Sequence, residues 1–256
     1  SSFVIRHSSF VIRHSSFVIR HSPFPMPRLL LFDIDGTLID SHGAGGGAIL
    51  DAAEEHFGIK REQLPPLQLA GATDPAIAMD VFTLVKREHT RDDVFAFLDR
   101  YLANLQRRLQ AEDFSGFTLP GVVELLETLR RETDAHLGLL TGNVRRGAQI
   151  KLSRHGIHHH FIDGGFGCDH HDRNQLGPVA LKRMQDATGM TFNAADVIVI
   201  GDTPKDIRCA EAFGAKCLAV ATGQYSCAEL SALKPWRCVE SFADVPAIVE
   251  LLLRAA

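Results

Sequence analysis

Leu29-Leu30-Leu31-Phe32-Asp33-Ile34-Asp35-Gly36-Thr37-Leu38 is an apolar run that stops at two carboxylates, one residue apart, and then meets a glycine. A near-continuous apolar run of this length suits a buried strand of a parallel sheet. In open α/β sheets, ligands sit just outside the carboxyl ends of the strands. Asp33 and Asp35 would therefore stand at a sheet rim, where two like charges are costly unless a cation joins them. A hard divalent ion such as Mg²⁺ takes carboxylate and carbonyl oxygens and fits that need. The same residues also suit an Asx-type turn at a strand end.

Working outward, the chain alternates strands and helices. After a helix opened by Pro120-Gly121, strands are expected at Ala135 to Thr141, Gly164 to Cys168, Asp196 to Ile200, Lys216 to Ala221 and Arg237 to Val239. Helices are expected at Val144 to His155, Pro178 to Thr188, Pro204 to Phe213 and Val245 to Leu253. Such alternation implies a parallel sheet covered on both faces. Between the first strand and Pro120, residues 48–115 are helical in pattern. Val94, Phe97, Leu98, Tyr101, Leu102, Leu105 and Leu109 follow the 3.6-residue period. The fold class is thus α/β, a Rossmann-like three-layer core over 26–42 and 116–256. A small helical cap, residues 43–115, is inserted after the first strand. Ser41 to Gly47 is glycine-rich and reads as a flexible connector that lets the cap open and close.

Two further strand ends carry chemistry. At Leu139-Leu140-Thr141-Gly142-Asn143, the Thr141 hydroxyl and the amides of Gly142 and Asn143 could hold a phosphoryl oxygen, as helix N-termini do. Capping of the next helix by a Thr or Asn side chain is the alternative use. At Gly201-Asp202-Thr203-Pro204-Lys205-Asp206, Asp202 offers a third carboxylate, and Asp206 could orient it from behind. Here too, simple capping of a proline-initiated helix is the alternative. A transferring phosphoryl group also calls for a fixed cation. Arg173 and Lys182 are the candidates, with Lys205 behind them.

Composition narrows the function classes. The net charge of −4 and pI near 6.3 point to neither nucleic acid nor an anionic membrane as partner. No apolar run approaches the length of a membrane-spanning helix. Five dispersed cysteines without a CxxC pair suggest reduced thiols in a cytoplasmic protein. No pattern specifies an oligomeric state. Residues 1–25 contain a repeated seven-residue unit, Ser-Ser-Phe-Val-Ile-Arg-His, whose apolar residues are adjacent and lack a/d spacing, and are expected to lie outside the fold, with Met26 as a natural start. An added edge strand is the other use for Phe-Val-Ile. His158-His159-His160 and His170-His171 read as surface loops, since no zinc-ligand spacing accompanies them.

Taken in order, Asp33-x-Asp35-Gly36-Thr37, Thr141 and Gly201-Asp202-x-x-x-Asp206 resemble the motifs of the haloacid dehalogenase-like superfamily. The helical insertion, Gly71-Ala72-Thr73-Asp74-Pro75 and Leu119-Pro120-Gly121 resemble its phosphoglycolate phosphatase branch. The resemblance implies a Mg²⁺-dependent phosphatase acting on a small phosphorylated metabolite. Asp33 would be the nucleophile that forms an aspartyl-phosphate, and Asp35 the acid and then the base. Thr141 would bind the phosphoryl group. Asp33, Asp202 and the backbone carbonyl of Asp35 would hold the ion. Dehalogenases of the superfamily lack the second aspartate, so its presence favours phosphate over halide. The branch usually places a Lys-Pro before the fourth helix. Here Asp172-Arg173-Asn174-Gln175-Leu176-Gly177-Pro178 stands instead, and leaves Arg173 or Lys182 for the role. Phosphosugar mutation, phosphonate cleavage and non-catalytic binding are the rival uses of the same fold.

Overall fold

The computed structural model describes residues 28–132 and 134–253, so the N-terminal repeat lies outside the described residues. In chain order it contains β1 (Arg28–Phe32), β2 (Ile39–Asp40), α1 (Ala44–Phe57), α2 (Asp74–Leu84), α3 (Arg91–Gln110), β3 (Phe117–Thr118), α4 (Val122–Glu132) and β4 (Ala135–Thr141). Then follow α5 (Arg145–Arg154), β5 (Gly164–Phe166), α6 (Leu176–Thr188), β6 (Ile198–Gly201), α7 (Pro204–Ala212), β7 (Lys216–Val220), α8 (Cys227–Ser231), β8 (Arg237–Val239) and α9 (Val245–Leu253).

The opening apolar run becomes the middle of the sheet. β1 pairs in parallel with β4 on one side and β6 on the other. The full order is β5-β4-β1-β6-β7-β8, with every pairing parallel. Because strand side chains alternate, β1 serves two cores. Leu30 and Phe32 join Leu125, Leu126 and Leu129 of α4 and Ile248 and Leu252 of α9. Leu29 and Leu31 join Ala180 and Met184 of α6 and Cys209 and Ala210 of α7. Buried residues on both faces explain why the run carries no polar alternation.

The three helices between β2 and β3 surround a cluster of their own, with Phe82, Phe97, Tyr101 and Leu105 at its centre. α3 starts at a capping box, in which Thr90 and Asp93 exchange hydrogen bonds. The two ends of this insertion meet in an antiparallel ribbon, with Ile39 opposite Thr118 and Asp40 opposite Phe117.

Two expectations need correction. The glycine run is not a connector, because α1 already begins at Ala44 and Gly45, Gly46 and Gly47 form its first turn. Side chains would crowd this turn: a Cβ at Gly46 would sit 2.8 Å from Leu69, and one at Gly47 would sit 2.6 Å from Arg108. The turn is helical despite glycine's poor helix propensity. The cysteines are not all thiols either. Cys227 and Cys238 form a disulfide, whereas Cys168, Cys209 and Cys217 are free. The short helix α8 turns the chain back beside β8 and brings the two Cα atoms to 6.1 Å.

Candidate active site

Asp33 is the first residue after β1, and its N–H still donates to the Ile200 carbonyl of β6 at 2.9 Å. The strand thereby fixes its carboxylate at the sheet rim. Gly36, at φ 78°, then turns the chain, and its N–H donates to the Ile39 carbonyl. β4 delivers Thr141 to the same rim and β6 delivers Asp202, because both strands run parallel to β1.

Asp33, Asp202 and Asp206 bring carboxylate oxygens within 4.8 Å of one another, all buried. The Asp202 carboxylate accepts from the Thr37 hydroxyl at 3.0 Å, and a side chain at Gly36 would collide with it. Burial lifts the Asp202 carboxyl well above its usual range, and the neighbouring charges of Asp206 and Asp33 lift it further. Burial also raises Asp33, to about 6, against the pull of Arg173. Acids this close and this buried repel each other unless a cation shares them. Their donor set, carboxylate oxygen only, suits a hard divalent ion and fits the one the motifs implied.

Arg173 sits behind this cluster. Its guanidinium lies 3.2 Å from Asp33 and 2.5 Å from Asp206, and also donates to the carbonyls of Leu140 and Gly71. Only 5% of the residue is exposed. Burial disfavours its charge, but Asp206 and Asp33 outweigh that and hold it firmly protonated. Arg173 is thus a buried brace for two carboxylates. Lys182 is not brought to this cluster: its ammonium pairs with Asp186 at 2.7 Å on an exposed face of α6.

The cation beside Asp35 is one that sequence reasoning missed. Lys151 of α5 is 3% exposed, and its ammonium lies 2.6 Å from the Asp35 carboxylate. Asp35 also accepts from the Asn143 amide at 2.9 Å and from the Ser41 hydroxyl at 3.1 Å. Burial works to raise its pKa, yet the Lys151 charge and these hydrogen bonds prevail and hold it below the ordinary range. A signal for Lys151 was available. Val144, Ala148 and Lys151 fall at i, i+4 and i+7, so the lysine stands in the apolar stripe of its own helix.

The loop around Thr141 is shared with the helical insertion. Thr141 accepts from the Asn143 side chain at 3.0 Å and from its backbone N–H at 3.3 Å. The Gly142 carbonyl accepts from the Asp74 N–H at 2.8 Å, and a side chain at Gly142 would strike the Ala72 carbonyl. The Asp74 carboxylate in turn accepts from the Val144 N–H at 2.8 Å. Burial raises Asp74 to about 6 despite nearby Lys151. The start of α2 is therefore seated directly on the Thr141–Asn143 loop. His170 and His171 stack on each other beside it, where the Thr73 hydroxyl donates to the His171 carbonyl at 2.6 Å.

A family model of haloacid dehalogenase-like hydrolases matches residues 27–214. The chain belongs to that family. Among the curated relatives of this haloacid dehalogenase-like hydrolase is "Probable phosphatase IndB" of Dickeya dadantii, 26% identical over 237 residues, covering 90% of this chain and 96% of that protein. A phosphoglycolate phosphatase of Pseudomonas fluorescens is 27% identical over 213 residues, covering 77% of this chain and 71% of that one. In three dimensions, the crystal structure of a hydrolase from Pseudomonas syringae superposes with a TM-score of 0.66 at 22% identity, covering 88% of this chain and 98% of that one. The likeness extends to the helical insertion as well as to the sheet. The fold is the Rossmann-like three-layer α/β core with its inserted helical cap. Among the described residues, no helix is long and apolar enough to cross a membrane.

Proposed function

We propose that this hydrolase is a cytoplasmic, Mg²⁺-dependent phosphatase that acts on a small phosphomonoester through an aspartyl-phosphate on Asp33. One observation carries the reading. Asp33, Asp202 and Asp206 converge as a buried oxygen cluster, while Asp35, two residues from the nucleophile, is kept apart by its own lysine. Asp33, Asp202 and the backbone carbonyl of Asp35 would hold Mg²⁺, which offsets the repulsion between an anionic nucleophile and an anionic phosphate.

The chain's own residues supply the rest. The Asp33 carboxylate attacks phosphorus and the ester oxygen leaves with a proton from Asp35. Asp35, now a carboxylate, takes a proton from the water that hydrolyses the acyl phosphate. Arg173 fixes the aim of Asp33 from behind. The Thr141 hydroxyl and the amides of Gly142 and Asn143 cradle the phosphoryl oxygens. Lys151, beside Asp35, neutralises phosphoryl charge. When a phosphate dianion draws the ammonium away from Asp35, that carboxyl gains the proton affinity a general acid needs.

The insertion, residues 43–115, acts as the cap over the 26–42 and 116–256 core and selects the leaving group. Lys60 and Lys86 within it are exposed, so neither has the apolar setting that would make it a Schiff-base lysine for phosphonate cleavage. The test is turnover of a generic aryl phosphate with and without Mg²⁺, in the parent chain and in Asp33→Asn. Mg²⁺-dependent release of phosphate that disappears in the variant is expected. Retained turnover in Asp33→Asn overturns the reading.

A further inference from the structure

The wall of the acid cluster opposite Gly36 is made by the segment between β7 and α8, residues 221–226. Gly223 lies so close to Asp202 that a side chain there would collide with the carboxylate. The Thr222 hydroxyl donates to the Gly36 carbonyl at 2.6 Å. Asp202 is thus held between two glycine backbones, and Thr222 ties the two together.

Both ends of that segment are tethered to β8. At one end, the Ala221 N–H donates to the Val239 carbonyl at 2.9 Å. At the other, Ser226 caps α8 through Glu229, and Cys227 at the first helical position is joined to Cys238 by the disulfide. β8 is the edge strand, and Cys238 lies in it opposite Ala219 of β7. Besides the disulfide, the buried anchor of α8 is Leu230. Both cysteines are partly exposed. In a reducing compartment, an accessible disulfide is more often a redox sensor than a fixed structural bond.

We propose that Cys227 and Cys238 form a reversible redox pair that sets how firmly segment 221–226 is held against Asp202, and thereby how tightly the acid cluster binds a divalent cation. This coupling rests on the reading of those acids as a metal site. The chemistry is thiol–disulfide exchange with a low-molecular-weight disulfide. One cysteine thiolate attacks the external disulfide and expels one thiol. The second cysteine thiolate then displaces the other thiol and closes the ring. The two cysteines together lose two electrons and two protons, and the external disulfide is reduced to two thiols. Oxidation clamps the wall, and reduction leaves α8 to its cap and Leu230.

The experiment compares the full chain after oxidised glutathione with the same chain after dithiothreitol. Free thiols are counted in denaturant, amide hydrogen exchange is followed across 221–226, and Mg²⁺ binding is titrated calorimetrically. The oxidised chain should titrate the free thiols of Cys168, Cys209 and Cys217 alone. Reduction should expose Cys227 and Cys238 as well, speed exchange at 221–226 and weaken Mg²⁺ binding by about five-fold or more, the range of ordinary site-to-site coupling. The Cys227→Ser/Cys238→Ser double variant should match the reduced chain and ignore both reagents. A full set of free thiols after oxidation, or exchange indifferent to redox state, overturns the tether. Exchange that responds while neither form binds Mg²⁺ upholds the tether and overturns the metal reading, and with it the coupling.

Discussion

Asp33 and Asp35 are the same residue two positions apart, yet the two sides of the site treat them oppositely. On the Asp33 side, burial and the charges of Asp206 and Asp35 raise the carboxyl to about 6 in spite of Arg173 and the Thr141 hydroxyl. On the Asp35 side, burial is overcome by Lys151, Asn143 and Ser41, and the carboxyl is held low. One side has an excess of acids over cations and calls for a metal; the other is balanced within the protein. Environments that push two neighbouring acids apart are how a single site divides nucleophile and proton-transfer work.

The largest way to break this comparison is at Asp33, the proposed nucleophile. Asp33→Asn should lower kcat for an aryl phosphate by about four orders of magnitude or more, as removal of a covalent nucleophile does elsewhere. Lys151→Met tests the balanced side. It should lower kcat/KM by about 10²- to 10³-fold, the scale for losing one preorganised charge partner, and Lys151→Arg should recover part of that. Arg173→Met tests the acid-rich side by stability. Breaking a buried pair leaves Asp33 and Asp206 uncompensated and should cost about 3–5 kcal/mol, a fall in Tm of roughly 10 °C by calorimetry.

Acidity sharpens the contrast at smaller scale. Asp33 and Asp74 have folded pKa values of about 6, above the ordinary aspartate value of 3.8. The folded state therefore holds more protons than the unfolded one between those values. The stability these two groups contribute to the metal-free protein should be fully present below the lower value and be lost as pH rises through about 6. Asp35 has the opposite sign, since its depressed carboxyl contributes stability that is lost as pH falls through its folded value. Mg²⁺ should thus raise Tm more at pH 7 than at pH 5, because protons and metal compete for the same oxygens. Lys182→Ala sets the baseline. Its ammonium is exposed and paired with Asp186, so activity and Tm should change by no more than surface substitutions do, about 0.5 kcal/mol.

Much of the fold was legible because its signals were long or strong. The apolar run at Leu29 to Phe32 fills two cores at once, and no other element type does that with so few residues. The helical stripe from Val94 to Leu109 forms a single buried face. What stayed hidden depended on neighbours distant in sequence. The turn at Gly45 to Gly47 is helical although glycine propensity argues the other way. β2 and β3 are too short for periodicity to register. Lys151 was passed over, although its place in the apolar stripe of α5 set it apart from Arg145, Arg146 and Arg154. The pairing of Cys227 with Cys238 follows from a return of the chain that spacing does not encode.

The ribbon of Ile39–Asp40 against Phe117–Thr118 brings both ends of the helical insertion to one doorway. A polypeptide that leaves and re-enters a scaffold at a single place can be lengthened, replaced by another module or deleted without re-threading the sheet beneath. That arrangement separates two design problems, so the sheet that carries the acids can stay constant while the helical insertion is exchanged as a unit.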